Sequence, residues 1–312
     1  MISRKNAVTI FLVLIMVLSL CACGDKTADK QTAGVAVVLS GPVTDGAFNQ
    51  LTCEGAKSVA EENGWRFAYK ENIGEEEQLE AVREFAKDGY TTIIGQGGQF
   101  GETLAVAAEE FPKVQFIFSV GNVTYDLPNL TAATVDYYEA GYIGGVLAAL
   151  STETNCVAMI TGEFYENHRL MESGFKQGVK DVDPSIRVQS FTTGDWGDAD
   201  KAYKTAENVI GQGFDVLFPC LDAAGAGIAK AAEDNHVKIV GSVADYAREY
   251  NASNATIGSV VYNWFALGKL EAGGSIADGK VHIIGQKDGG LEIILNQPLP
   301  DDKQQIYDSL IQ

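Results

Sequence analysis

The sequence predicts a soluble α/β protein made of two lobes, each a doubly wound parallel sheet. Its 312 residues are enough for two domains of about 100–200 residues each. Hydrophobic residues make up 46% of the chain and charged residues 21%, a balance typical of globular domains. From Val35 onward, short apolar runs rich in β-branched residues alternate with stretches of helical period. Such alternation indicates parallel strands covered by helices on both faces.

The predicted elements form two sets of β-α units, over residues 34–134 and 155–245. Helices between the strands show core-facing spacing, for example at Met171 and Phe175. A segment near Thr131–Asp136 is predicted to join the two sets. The nine predicted strands are Val35–Leu39, Arg66–Lys70, Thr91–Gly95, Gln115–Ser119, Val157–Ile160, Val188–Phe191, Val216–Pro219, Lys238–Gly241 and Thr256–Val261.

Residues 1–22 are predicted to be a secretory signal peptide that does not belong to the fold. Arg4 and Lys5 form its basic start. The apolar run Val8–Leu20 follows, and it is too short to cross a bilayer core of about 30 Å as a helix.

The end of this signal predicts a lipid anchor. Leu20-Cys21-Ala22-Cys23 resembles the lipobox of bacterial lipoproteins, in which a small residue precedes the acylated cysteine. Lipidation of Cys23 with two or three acyl chains would hold the protein on the membrane, which one chain does poorly. Residues 23–33 are predicted to be a flexible polar tether. The alternative is an ordinary secreted protein cleaved near Ala22.

Composition and motifs argue against several classes of function. Acidic residues outnumber basic residues 42 to 23, and the formal net charge is −19. Nucleic-acid binding, which needs a basic face, is therefore not expected. The sequence predicts no enzyme, no cofactor and no metal site. No candidate nucleophile has a histidine positioned in the sequence to activate it, and the three histidines lack the spacing of metal ligands. These histidines are His168, His236 and His282.

The loops after the strands are the candidate ligand site, because open parallel sheets bind ligands beyond the carboxyl ends of their strands. Phe48 beside Asn49, and Trp196 beside Asp195, each combine an aromatic face with a polar partner, which suits a flat ligand with polar edges. The alternative is that both aromatic residues simply anchor their loops to the core. The candidate loops are Ser40–Asn49, Gln96–Gly101, Val120–Asn122, Thr161–Phe164, Gly194–Gly197, Leu221–Gly225 and Ser242–Tyr246.

Several segments together carry a resemblance to a known family. They are Ser40 to Gln50 (SGPVTDGAFNQ), Glu54-Gly55, Glu110-Phe111-Pro112, Ala140-Gly141-Tyr142, Leu147-Ala148-Ala149, Gly174-Phe175, Gly213-Phe214-Asp215-Val216, Ala223 to Gly227 (AAGAG) and Lys287-Asp288-Gly289-Gly290. In their order and spacing they resemble the basic membrane protein family of substrate-binding lipoproteins. These proteins serve ABC importers and include purine nucleoside receptors. The resemblance spans nearly the whole mature chain and agrees with the lipobox.

The resemblance implies a type I periplasmic-binding-protein fold, in which a ligand is enclosed between two lobes joined by three hinge crossovers. The crossovers are expected near Thr134–Asp136, Gly258–Ser259 and Gly285–Lys287. The expected N-terminal lobe comprises residues 34–134 plus about 259–285, and the C-terminal lobe comprises residues 135–258 plus about 286–312.

The resemblance also implies ligand contacts. Asp45, Phe48 and Asn49 match the first-lobe contacts and Trp196 matches the second-lobe aromatic residue, so that Phe48 and Trp196 would lie on either side of a planar base. The full set of candidate ligand-binding residues is Asp45, Phe48, Asn49, Phe100, Trp196, Asp222, Ala223, Asp245 and Tyr262.

At three positions the chain departs from nucleoside-binding members of the family. Val120 and Val243 stand where those members resemble one another in an Asp, and Tyr262 stands where they have a Lys. Carboxylates make strong hydrogen bonds to ribose hydroxyls, so these departures weigh against ribose recognition. Asp245 is close enough in sequence to take the missing role.

The expected function is that of a lipid-anchored solute-binding protein on the extracytoplasmic face of a bacterial cell membrane. Its ligand would be a purine nucleoside or nucleobase, and its partners would be an ABC permease and ATPase. Two alternatives remain at this point. The protein could bind another small polar solute, such as a sugar or a signalling molecule, or it could be a surface adhesin or sensory module that uses the same cleft without transport.

Overall fold

The computed structural model describes residues 33–45 and 48–311 and contains two six-stranded sheets. The predicted signal peptide, Cys23 and nearly all of the predicted tether lie outside the described residues. The described strands are β1 Gly34–Leu39, β2 Arg66–Lys70, β3 Thr92–Gln96, β4 Gln115–Ser119, β5 Leu130–Val135, β6 Cys156–Thr161, β7 Arg187–Thr192, β8 Val216–Cys220, β9 Lys238–Val243, β10 Thr256–Tyr262, β11 Val281–Ile284 and β12 Leu291–Leu295. The described helices are α1 Phe48–Asn63, α2 Gln78–Lys87, α3 Gly101–Glu110, α4 Tyr137–Ser151, α5 Glu166–Val182, α6 Ala199–Gly211, α7 Gly225–Asn235, α8 Tyr246–Glu249, α9 Trp264–Ala272 and α10 Asp301–Ile311.

Each sheet is the centre of one lobe. The first sheet has the order β11-β5-β4-β3-β1-β2 and is parallel throughout. The second has the order β12-β10-β9-β8-β6-β7, and only the edge strand β12 runs antiparallel to its neighbour β10. Helices cover both faces of each sheet, which confirms the predicted doubly wound α/β fold.

The central strands form where the sequence is apolar without a break. All six residues of β1 (GVAVVL) are buried, because helices pack on both faces of this central strand. The nine predicted strands are confirmed. Three further strands were missed. The segment predicted only to join the two sets forms β5, while β11 and β12 are short, partly exposed edge strands whose pattern is weak.

Glycines allow the helices on one face of each sheet to pack at very short range. A Cβ atom at Gly145 of α4 would overlap the carbonyl oxygen of Phe175 in α5, and one at Gly178 of α5 would overlap that of Tyr142 in α4. In the first lobe α9 crosses α1 in the same way, with Gly268 against the α1 backbone. Neighbouring backbones can approach this closely only where a side chain is absent.

The chain passes between the lobes at three places. It crosses at Val135–Asp136 between β5 and α4, after Tyr262 between β10 and α9, and over residues 285–290 between β11 and β12. Hydrogen bonds connect these segments: the Asp136 amide donates to the carbonyl of Ile284 (3.0 Å). The crossovers therefore lie side by side and can bend together.

The position of the second crossover differs from the prediction. Gly258 and Ser259 both lie inside β10, where they pair with Leu295 and Ile294 of β12. The antiparallel partner prolongs β10 to Tyr262, so residues 259–262 belong to the second sheet. Within residues 33–45 and 48–311, no helix has the length and apolar character needed to cross a bilayer.

Candidate functional site

The candidate site is the cleft where the carboxyl ends of strands from both lobes meet. Three observations show that the lobes face each other there. The Asn167 side chain of the second lobe donates a hydrogen bond to the carbonyl of Val120 after β4 of the first lobe (3.1 Å). The charge of Asp45 raises the pKa of Asp222. One apolar cluster also contains side chains of both lobes, including Phe48 and Val243.

Asp45 organises the start of α1. Its carboxylate accepts hydrogen bonds from the Asn49 amide (2.8 Å), the Asn49 side chain (2.9 Å) and the Gln50 amide (3.0 Å). These bonds satisfy helix donors that would otherwise lack a partner, and the negative charge suits the helix N-terminus. Asp45 therefore positions Phe48 and Asn49 on the first-lobe side of the cleft.

Two buried amide oxygens beside α1 receive no hydrogen bond from the described residues. They are Oδ1 of Asn49 and Oε1 of Gln96. The other end of the Gln96 amide is used, since its Nε2 donates to the Thr52 hydroxyl (2.9 Å) and to the Phe48 carbonyl (3.3 Å). Buried acceptors normally have partners, so these oxygens offer acceptor capacity next to the Phe48 ring.

A continuous series of aromatic rings, the aromatic chain, connects Phe48 in the first lobe with Trp196 in the second. The successive ring-centroid distances are Phe48–Trp264 5.1 Å, Trp264–Tyr262 5.4 Å, Tyr262–Tyr137 5.5 Å, Tyr137–His168 5.7 Å and His168–Trp196 4.8 Å. The first four contacts are edge-to-face, a favourable geometry for aromatic pairs. Tyr137 and Tyr262, in the middle of the aromatic chain, each lie next to a crossover. Both end rings are half-buried, so each is anchored by the core and still partly accessible.

The polar neighbours of Trp196 hold its loop. The Asp195 carboxylate accepts from the amides of Gly197 (2.8 Å) and Asp198 (3.0 Å), which lowers the pKa of Asp195. Asp198 in turn caps α6 by accepting from the Lys201 amide (3.0 Å). These carboxylates therefore fix the loop that presents the indole.

Asp222 and Ala223 follow β8 and are exposed on the second-lobe side of the cleft. Burial by the surrounding protein and, to a smaller extent, the charge of Asp45 together raise the pKa of Asp222 to about 6. A side chain in the wall of a cleft is expected to be enclosed by protein and still reached by solvent. Perturbed carboxyl groups of this kind are enriched at functional sites.

The other three predicted contacts have structural partners. Phe100 is fully buried in the core of the first lobe beside Gly95 and Leu104, and we do not place it in the site. Tyr262 is buried within the aromatic chain. Asp245 caps the short helix α8 by accepting from the Ala247 amide (3.2 Å).

Val120 and Val243 have an unexpected backbone conformation. They occupy equivalent places after β4 and at the end of β9, with φ angles of +61° and +72°. A β-branched residue in the left-handed region is strained, and such strain clusters at functional sites. Both side chains pack into the apolar cluster between the lobes, so these positions present apolar surface where the resemblance implies carboxylates.

Sequence reasoning missed Tyr137, His168 and Trp264 as members of the site. Burial lowers the pKa of His168 to about 4, so the ring is neutral and packs like an aromatic residue. No local signal could have identified these residues. Each lies at or near the start of a helix, and they meet only through the crossovers.

Comparison with known proteins agrees with this architecture. Residues 32–311 match a family described as PnrA-like ABC transporter substrate-binding proteins. The chain is 30% identical over 195 residues to a nucleoside-binding protein of an ABC transporter from Lactococcus lactis; the match covers 61% of this chain but only 55% of that protein. A purine-binding protein from Brucella abortus is 24% identical over 290 residues, which cover 91% of this chain and 81% of the relative.

Solved structures share the fold. A transcriptional activator of the comK gene from Bacillus halodurans superposes with a TM-score of 0.73 at 24% identity, over 89% of this chain and 95% of that one. A glucose-galactose binding protein from Geobacillus stearothermophilus superposes with a TM-score of 0.68 at 19% identity, over 86% and 99% of the two chains. At such identities the likeness concerns the fold alone.

Proposed function

Because the chain belongs to the PnrA-like family of ABC transporter substrate-binding proteins, we propose that it binds a purine, as free base or nucleoside, between its two lobes. Proteins of this family are solute-binding proteins and not enzymes; they bind small molecules and work with a permease and an ATPase. Relatives named as nucleoside-binding and purine-binding support the choice of ligand.

The aromatic chain is the observation that carries this proposal. Its two partly accessible ends, Phe48 and Trp196, belong to opposite lobes. They are therefore the aromatic rings that a planar ligand bound between the lobes is expected to contact. A ligand that contacts both lobes stabilises the closed arrangement, because only that arrangement offers both sets of contacts.

Acceptor oxygens are available for the polar edge of a purine. The Oδ1 atom of Asn49 has no donor among the described residues. Asp222 follows β8 in the second lobe and is exposed, so its carboxylate is a second candidate acceptor. Ring and exocyclic N–H groups of a purine are donors that could pair with these acceptors.

Val120 and Val243 favour a base over its riboside. Neither side chain can accept a hydrogen bond, and each unpaired hydroxyl of a buried ribose costs about 1–3 kcal/mol. A free nucleobase should therefore bind at least as tightly as its nucleoside.

Calorimetric titration with adenine, guanine, hypoxanthine and their ribosides tests this proposal, with glucose and arabinose as controls. The full-length protein in detergent micelles should bind at least one purine and neither sugar. A ribosyl preference of tenfold or more would contradict the role given to the two valines. Binding of a sugar in place of every purine would overturn the choice of ligand.

We also propose that Cys23 is lipidated and holds the protein on the extracytoplasmic face of the membrane. The lipobox-like segment and the polar residues after it support this. Cys23→Ala should leave ligand binding unchanged and release the protein from membranes. Equal release of the unaltered protein without detergent would contradict the anchor.

A further inference from the structure

Tyr165 occupies a position that neither helix formation nor the core explains. It is the N-cap residue of α5, with φ −81° and ψ 172°, and its side chain makes no capping hydrogen bond. Ser, Thr, Asp and Asn are preferred at N-caps because their oxygen atoms accept from the first free amides. The Tyr165 side chain is also 58% exposed, more than any other large hydrophobic residue in the described ranges.

The contacts of Tyr165 are with the second-lobe end of the aromatic chain. Its ring lies nearly parallel to that of Trp196, at an interplanar angle of 13° and a centroid distance of 6.1 Å. The His168 ring is 6.0 Å away. The nearby Glu163 side chain is the main cause that raises the pKa of the Tyr165 hydroxyl. The contacts with Trp196 and His168 therefore orient the Tyr165 ring although it is largely exposed.

The backbone beside Trp196 closes one face of its ring to a ligand. A Cβ atom at Gly162 would overlap the indole atoms Cδ2 and Cε2, so the Gly162 backbone lies directly against one face of this ring. A planar ligand can approach only from the opposite face or along the edge. Because the Gly162 backbone occupies one face, the nearly parallel and largely exposed Tyr165 ring lies toward the part of Trp196 that remains open.

We infer that Tyr165 is a ligand-contacting residue that enlarges the Trp196 surface at the mouth of the cleft. Its ring would lie against a planar heterocycle when the lobes close. The inference rests on the proposed function. It explains why a residue that caps helices poorly stands at the N-cap of α5: the Tyr165 side chain serves a contact outside the helix.

Tyr165→Asn separates a ligand contact from a structural role. Asn is a preferred N-cap residue, so the variant should melt at the same or a higher temperature than the wild type without ligand. Its affinity for the purine that the wild type binds most tightly should fall tenfold or more by calorimetry. Tyr165→Phe should keep most of the affinity because it retains the ring. Tyr69→Asn, which removes an exposed tyrosine from edge strand β2, is the matched control and should bind normally.

The outcomes distinguish the inference from the function on which it rests. Unchanged affinity in Tyr165→Asn, with purine binding intact in the wild type, would overturn the inference alone. Failure of the wild type to bind any purine would overturn the proposed function, and the inference with it. If Tyr165→Asn does not fold, Tyr165→Ser is judged by the same criteria, since Ser is equally favoured at an N-cap.

Discussion

Glu271 should make the protein progressively less stable as the pH rises. This residue of α9 is 0% exposed, and neither carboxyl oxygen has a hydrogen-bond partner among the described residues. Burial raises its pKa from 4.5 to about 8, and only the nearby Ser119 hydroxyl opposes this rise. The folded state therefore holds a proton that the unfolded state releases above pH 4.5.

The sign and size of the effect follow from proton linkage. A carboxyl group with a raised pKa in the folded state contributes its full stability below the unfolded pKa of 4.5 and loses it as the pH rises toward 8. The free energy of unfolding should fall by about 1.4 kcal/mol per pH unit across this window. The total loss by pH 8 is on the order of 4 kcal/mol.

Glu271→Gln isolates this contribution, because Gln has a similar shape and cannot ionise. Urea unfolding of both proteins from pH 5 to pH 8 should give curves that diverge as the pH rises, with the variant increasingly the more stable. The two proteins must be compared because His168 has the opposite effect on stability in both. Burial lowers the pKa of His168 from 6.5 to about 4, so this residue adds stability as the pH rises between those values. Parallel stability profiles would refute the reasoning.

Four further substitutions test the close helix packing, the two ends of the aromatic chain and the strained backbone at Val243. Gly145→Ala should destabilise the protein by about 1–3 kcal/mol or more in urea unfolding, because its Cβ would overlap the α5 backbone. Gly211→Ala is the control, since its Cβ position has open space around it, and it should leave the stability unchanged. Equal losses of stability in the two variants would contradict the close-packing argument. Phe48→Ala and Trp196→Ala should each weaken purine binding roughly tenfold, as expected for lost stacking of about 1–3 kcal/mol; unchanged calorimetric affinity in both would exclude a bound ring between them. Val243→Asn should relieve about 1 kcal/mol of backbone strain, since Asn tolerates positive φ. It should also raise the affinity for the riboside relative to that for the base. A lower melting temperature, with an unchanged ratio of riboside to base affinity, would show that neither strain nor polarity matters at this position.

The protein's architecture could be predicted from the sequence because local patterns encode it. Nine strands, the alternation with helices and the loops that line the cleft were all predicted, since each depends on residues adjacent along the chain. Phe48 and Trp196 were predicted as ligand contacts for the same reason: each follows a predicted strand in a segment that combines an aromatic residue with polar neighbours. The family resemblance added the three crossovers that join the two lobes. Edge strands such as β11 were missed because partial exposure weakens their apolar pattern.

Only the tertiary structure decided which distant side chains meet. In the structure Phe100 is buried in the first lobe, and the second crossover follows Tyr262. Trp264 and His168 lie between Phe48 and Trp196 in the aromatic chain. Residues far apart in sequence come together only when the crossovers align the lobes. Their contacts therefore depend on packing, which periodicity along the chain does not describe.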